Sequence, residues 1–422
     1  MSTVTVFPSE LAGTVTGISS KSYLHRLLMC AALSGTATDI SFRGLSNDVQ
    51  ASISAVSALG AAVTAADGLL QVRPAPRAAA IDVGESGSTF RFILPLLAAH
   101  TAEETVITGS DYLAGRPISP LYEELIAHGA AISEKGRFPL SVAGPLMGGT
   151  YRIPGNISSQ FVTGLLLALP LCAEDSEIIV DGPLQSKPYV DITIECLAQF
   201  GVGVEEIAGG YRIRGGQRYS SPGRIACEAD HSNAAFFLAA GALSDVGVGV
   251  SGLKLPSAQG DSAAIRILQA AGAQCIPQGA ATLFRRGELI AQDIDATDIP
   301  DLVPILSLVA AMSTGTSRIY GAERLRYKES DRLHTVATLL NALGAQVEEQ
   351  ADGLIITGRP QLKGGVTVSS YNDHRIAMTA AIAACFAAEP VTITDFQAVN
   401  KSYPDFLTDL AAIGGIYRKE VE

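Results

Sequence analysis

Residues 341–358 read NALGAQVEEQADGLIITG, and the position that decides the fold is Gly344. An amphipathic helix runs up to it and a β-prone run follows, so the glycine stands where a helix needs a left-handed cap residue. The same signature recurs as SALGAAV, IAHGAAI, AQFGVGV, QAAGAQC and AAIGGIY. Gly60, Gly129, Gly201, Gly272, Gly344 and Gly414 are thus separated by 69, 72, 71, 72 and 70 residues. Six copies of one unit are implied.

Ahead of each such helix lies an apolar helix with a polar start, then a small-residue break and a short β run, as in LVPILSLVAAMSTGTSRIY. Behind each glycine comes a hairpin-like pair, with Asp352-Gly353 as its turn in the fifth copy. The unit reads helix, strand, helix, strand, strand, which makes the chain α/β. One copy cannot bury both its faces, so several must pack together. The sixth copy stops eight residues after Gly414, while Val4 to Ile18 form an unattached β pair. The N-terminus is therefore expected to complete the sixth unit. A turn cluster, YSSPGR (Tyr219 to Arg224), lies between copies three and four. Two domains follow, residues 21–225 and residues 1–20 with 226–422, joined by two crossings as in a hinged cleft.

The 422 residues are 47% hydrophobic and 17% charged, with no Trp, which suits a tightly packed globular protein. A net charge of −12 argues against a general nucleic-acid or anionic-membrane surface. The six cysteines stand singly, without metal-ligand spacing, as expected of buried thiols in a reducing compartment. MSTVTVFPSE has neither a basic start nor an apolar core, and the longest nearly unbroken apolar run, Phe161 to Ala173, is 13 residues, so a cytoplasmic protein is expected.

Counting back from each glycine locates the polar residues. Where every first helix begins stand Lys21 and Ser22, Gly87 and Ser88, Ser158 to Gln160, Asp230, Asp301, and Asp373 to Arg375. Where the second helices begin stand Asp48, Arg116, Tyr189, Arg332 and Lys401. Helix N-termini offer free N–H groups and partial positive charge, so several together trap anions. Lys21, Arg26, Arg116, Lys328, Arg332, Arg375 and Lys401 add full charges. A lone Ser or Asp at a helix start is usually only an N-cap. Cations there oppose the macrodipole and gain nothing unless an anion arrives, and here they recur in one frame.

At these residues the chain resembles the 5-enolpyruvylshikimate-3-phosphate synthase (3-phosphoshikimate 1-carboxyvinyltransferase) family. The resemblance rests on SKSYLHR, GRPISPL, SSQF, SKPYVDIT, IPD, YKESDRL, YNDHRIAM and KSYPDF, eight motifs in order over essentially the whole chain. It implies a two-domain inside-out α/β barrel, three repeats to each domain, with the ligand cleft between them. The implied reaction moves the enolpyruvyl group of phosphoenolpyruvate to the 5-hydroxyl of shikimate 3-phosphate and releases phosphate, without metal or cofactor and in a monomer. By resemblance, Lys21, Ser22, Arg26, Ser158, Ser159, Gln160, Ser186, Tyr189, Asp301, Arg324 and Lys328 hold shikimate 3-phosphate. Lys21, Gly87, Arg116, Gln160, Arg332, Arg375 and Lys401 hold phosphoenolpyruvate. Asp301 accepts the hydroxyl proton, Glu329 or Lys401 exchanges the proton at the methylene carbon, and Asp373 and His374 orient their neighbours. Lys21→Met and Arg332→Ala are expected to lose turnover and keep the fold.

The family's Asn-Ala-Gly-Thr-Ala-Met-Arg-Pro segment reads ESGSTFRF here, with Glu85 for the Asn and Phe92 for the Pro. Glu85 is left without a role. Arg324 stands where an Asn is usual. The rival UDP-N-acetylglucosamine enolpyruvyl transferases typically carry a reactive Cys, which Ser110 to Leu121 lack. A non-catalytic anion-binding scaffold would not need Lys21, Asp301, Glu329 and Lys401 together.

Overall fold

The computed structural model describes residues 2–359 and 361–420. It divides into two compact units, Ser19–Cys227 and the pair Met1–Ile18 with Glu228–Glu422. Among the described residues, each unit holds three four-stranded sheets and three almost wholly buried helices.

The buried helices are the apolar ones: Lys21–Leu33, Gly87–His100 and Ser159–Ala168 in one unit, His231–Leu243, Val303–Ala311 and His374–Cys385 in the other. Every residue of His231–Leu243 and of His374–Cys385 is buried. A helix apolar all round is stable only when surrounded, and the sheets of its unit surround it. Their strands alternate accordingly, Thr150–Pro154 burying Tyr151 and Ile153 and exposing Thr150 and Arg152. Helices inside and sheets outside is the reverse of the usual α/β barrel.

The repeat glycines do what their spacing predicts. Gly60, Gly129, Gly201, Gly272, Gly344 and Gly414 all have φ between 76° and 99°. Close approach adds a second reason at Gly272, where a Cβ would lie 2.1 Å from the Glu288 carbonyl oxygen. At the fifth hairpin the turn is displaced by one residue. Gly353 already pairs with Gln350, leaving Ala351 and Asp352 as the loop. The missing side chain of Gly353 makes room for the Ile319 carbonyl oxygen, which a Cβ would approach to 1.8 Å.

The sheets correct the five-element unit. All six share one order: a parallel edge strand, the strand after the buried helix, then the second and first hairpin strands. The parallel edges, such as Ala80–Asp82 and Asp293–Asp295, are three to five residues long, too short for a periodic signal. Residues 4–18 are likewise not a self-paired hairpin. Thr3–Phe7 sits between Val391–Thr394 and Ile416–Glu420 and completes the sixth sheet. Ala12–Thr16 leaves for the fourth, pairing parallel with Gly247–Ser251. Arg224–Ala226 supplies the same edge to the first sheet, beside Thr38–Ser41. No described helix is long and apolar enough to cross a membrane.

Candidate active site

In unit Ser19–Cys227 three helix starts are stitched together by side chains. Ser20, Ser86 and Ser158 cap them through their hydroxyls. Lys21 Nζ lies 2.8 Å from Asp48 Oδ2, and the Asp48 carbonyl accepts from Thr89 Oγ1 at 3.3 Å. Gln160 donates to Ser88 Oγ at 2.8 Å and accepts from Arg91 Nη1 at 2.7 Å. Gly87 lies beneath two guanidinium groups, since a Cβ there would be 2.9 Å from Arg116 Nη1 and 3.0 Å from Arg91 Nη1. Lys21, Gly87, Arg91, Arg116, Ser158 and Gln160 thus fall into one group.

Arg26 stands one turn deeper and is 2% exposed. It donates to Thr193 Oγ1 (2.7 Å), Ser22 O (2.7 Å), Tyr189 O (2.9 Å) and Thr163 Oγ1 (3.3 Å). Phe92, the residue that replaces the family's Pro, lies with its ring centroid 5.0 Å from this guanidinium. Burial pulls the Arg26 guanidinium down to about 10, still charged at neutral pH. With four donors committed, Arg26 locks Ser22 and Tyr189 in place. Ser186 is buried at the start of Lys187–Gln199 in a left-handed conformation, φ 57°.

The other unit gathers charge more densely. Arg332, 1% exposed, begins its helix and meets three carboxylates: Asp301 Oδ1 at 2.7 Å, Glu329 Oε2 at 2.5 Å and Asp373 Oδ2 at 2.8 Å. Arg375 Nη2 reaches the second oxygen of Asp301 at 3.0 Å. Asp373 also caps its helix by accepting from Arg375 N–H at 2.9 Å. Burial pulls the Lys328 ammonium down to about 8, against the attraction of Asp301. Burial pushes the Asp301 carboxyl up, but Arg375, Lys328 and Arg332 outweigh it and hold it well below its ordinary value. The Arg332 guanidinium is disfavoured by burial, yet Asp373, Glu329 and Asp301 hold it charged. Arg324, in the turn Glu323–Tyr327, adds positive charge against Lys328. His374 is buried, its Nδ1 3.9 Å from Asp373 Oδ1.

Two residues expected at helix starts are elsewhere. Arg116 lies in the loop between Asp111–Ala114 and Leu121–Ala127, because Pro117 and Pro120 postpone the helix. Lys401 ends the turn Phe396–Lys401, with Pro404 ahead of Phe406–Ala412. Its Nζ donates to the Asn372 carbonyl at 2.8 Å, beside Asp373.

Asp261 joins this group without having been expected there. It is buried in the turn Gly260–Ser262, and burial and the nearby Asp301 charge push its carboxyl up to about 7, against the opposing influence of Arg375 and the Ser232 hydroxyl. The signal for it lies in the repeat frame. The second helix of the fourth copy has no polar residue assigned to its start, and Asp261 stands eleven residues ahead of Gly272.

Buried carboxylates bridged by arginines, beside helix N-termini and lysines, suit a small multiply anionic ligand with proton transfer nearby. The family model for EPSP synthase (3-phosphoshikimate 1-carboxyvinyltransferase) matches residues 7–410. The 3-phosphoshikimate 1-carboxyvinyltransferase of Clostridium perfringens is 40% identical over 430 residues, covering 100% of both chains. That of Methanocorpusculum labreanum is 39% identical over 419 residues, covering 98% of each. The solved structure of EPSP synthase from Acinetobacter baumannii is similar with a TM-score of 0.83 at 25% identity, covering 100% of both chains.

Proposed function

The chain belongs to the EPSP synthase (3-phosphoshikimate 1-carboxyvinyltransferase) family, and we propose that it joins the enolpyruvyl group of phosphoenolpyruvate to the 5-hydroxyl of shikimate 3-phosphate. The hydroxyl oxygen bonds to C2 of phosphoenolpyruvate while C3 gains a proton. The C2–O bond to phosphate then breaks and C3 returns a proton, leaving an enol ether and free phosphate.

Each substrate carries a phosphate and a carboxylate, so fixed cations are needed at several points. Lys21, Gly87, Arg116, Gln160, Arg332, Arg375 and Lys401 are assigned to phosphoenolpyruvate. Lys21, Ser22, Arg26, Ser158, Ser159, Gln160, Ser186, Tyr189, Asp301, Arg324 and Lys328 are assigned to shikimate 3-phosphate, with Arg26 acting through Ser22 and Tyr189. Asp301 is held ionised by its arginines, so it is present in the form that can accept a proton, and the reading has it take the proton of the hydroxyl. Glu329 or Lys401 exchanges the proton at C3, and Asp373 and His374 orient Arg332 and Arg375. Carboxylates close to the developing cation at C2 stabilise it. The same reading has the enzyme working as a monomer in the cytoplasm, the first of which light scattering after gel filtration tests.

The observation that carries the proposal is Asp301 bridging Arg332 and Arg375 beside Lys328 and Glu329. The test is phosphate release from phosphoenolpyruvate with either shikimate 3-phosphate or UDP-N-acetylglucosamine as acceptor. Release with shikimate 3-phosphate alone is expected. Release only with the sugar nucleotide overturns the acceptor, and none with either overturns the enzyme.

A further inference from the structure

The helix His374–Cys385 is entered through two successive left-handed residues, Tyr371 and Asn372, both at φ 54°. Asn adopts this conformation readily, but for a bulky side chain such as Tyr it is an outlier that surrounding structure must enforce. A third left-handed residue, Asp395 at φ 55°, opens the turn Phe396–Lys401. The two turns are tied at both ends. Buried Ser370 donates through Oγ to the Asp395 carbonyl at 3.0 Å, and its N–H donates to the Thr394 carbonyl at 3.2 Å. At the far end Lys401 Nζ donates to the Asn372 carbonyl. Chain and hydrogen bonds close a ring from Ser370 through Asn372 and Lys401 to Asp395.

We propose that the left-handed Tyr371-Asn372 turn, pinned through Ser370 to Asp395, is a positioning device that fixes where the Lys401 ammonium stands. The inference rests on the reading of Lys401 as a phosphoenolpyruvate ligand and deepens it. A lysine head on a flexible four-carbon stem loses rotamer freedom whenever it grips a ligand, and an anchor made beforehand reduces that cost. An ammonium has three N–H donors, so a main-chain carbonyl and a ligand can share it. Because the contact is made by a main-chain oxygen, what matters at position 372 is tolerance of positive φ rather than the side chain. Glycine accepts that conformation and a β-branched residue resists it.

The test compares steady-state kinetics of Asn372→Gly and Asn372→Val in the full chain, alone and combined with Lys401→Met. The Val variant is expected to show a KM for phosphoenolpyruvate at least tenfold above that of the Gly variant. Their KM values for shikimate 3-phosphate should agree within twofold, and the phosphoenolpyruvate difference should vanish when Lys401 is Met. Equal phosphoenolpyruvate KM values in the two variants overturn the device, as does a parallel rise in both KM values, which marks a structural role only. If Lys401→Met by itself leaves the phosphoenolpyruvate KM unchanged, the assignment of Lys401 fails, and the device with it. Should Asn372→Val not fold, Ser370→Ala is read the same way: a rise of threefold or more confined to phosphoenolpyruvate is expected, and a normal value overturns the inference.

Discussion

Arg26 and Arg332 are both buried, both near helix starts and both assigned to substrate handling, yet their surroundings differ in kind. Arg26 is met by two hydroxyls, two carbonyls and an aromatic ring. Arg332 is met by three carboxylates. Neutral acceptors satisfy a guanidinium without cancelling its charge, so the field of Arg26 stays available to an incoming anion. Carboxylates cancel the charge and fix the geometry, so around Arg332 the partners are as much the equipment as the cation. The burial cost falls on the two differently: the Arg26 guanidinium is pulled down to about 10, while that of Arg332 is driven up by its acids.

The largest effect expected from this contrast is at Arg332. Arg332→Ala leaves three carboxylates without their shared partner, one of them fully buried, and should cost about 3–5 kcal/mol in urea denaturation besides abolishing turnover. This revises the sequence expectation that the variant keeps its fold intact, because the sequence does not reveal how many acids converge on that side chain. Arg26→Met should cost less, about 1–3 kcal/mol, since only neutral acceptors are left behind. Equal losses in the two variants would break the contrast.

Smaller effects sharpen it. The Asp261 carboxyl, at about 7 against an ordinary 3.8, binds a proton more readily in the folded protein than in the unfolded chain. Its stabilising contribution is therefore full below about pH 4 and lost as pH rises through 7. Asp261→Asn should raise the melting temperature at pH 8 by several degrees and change it little at pH 4. Lys328 runs the other way. Its folded value of about 8 lies below the ordinary 10.5, so the folded state gains stability as pH rises from 8 to 10.5. Affinity for shikimate 3-phosphate should fall over the same range as the ammonium is lost, which calorimetric titration at pH 7 and 9.5 measures. Lys21→Met should be the mildest on stability, below about 1 kcal/mol for a partly exposed pair with Asp48. Its turnover should nevertheless fall roughly a hundredfold.

Much of this is legible in the chain. The six glycines reveal the repeat because a left-handed helix cap leaves few choices of residue, and the all-apolar helices announce themselves as interior. Polar residues at helix starts follow from counting. Short parallel edge strands are not legible, since three residues carry no period, and the separate destinations of Thr3–Phe7 and Ala12–Thr16 depend on partners hundreds of residues away. Arg116 and Lys401 stand one loop ahead of the helices that counting assigns them to, because the prolines that follow each of them delay the first helical turn. Asp261 escapes notice because an acid in a turn looks like any N-terminal acid until the residues around it are known.

Sequence alone determined the number of modules and the buried helix, following strand, second helix and hairpin of each, because cap geometry and apolar periodicity are local and each copy states them again. Which acid meets which arginine was decided by tertiary structure. Asp301, Glu329, Arg332 and Asp373 are distributed over more than seventy residues of chain, and only the packing of buried helices within the unit brings them within hydrogen-bonding distance. Charge neutralisation acts over a few ångströms of space, a length that position in the chain does not encode.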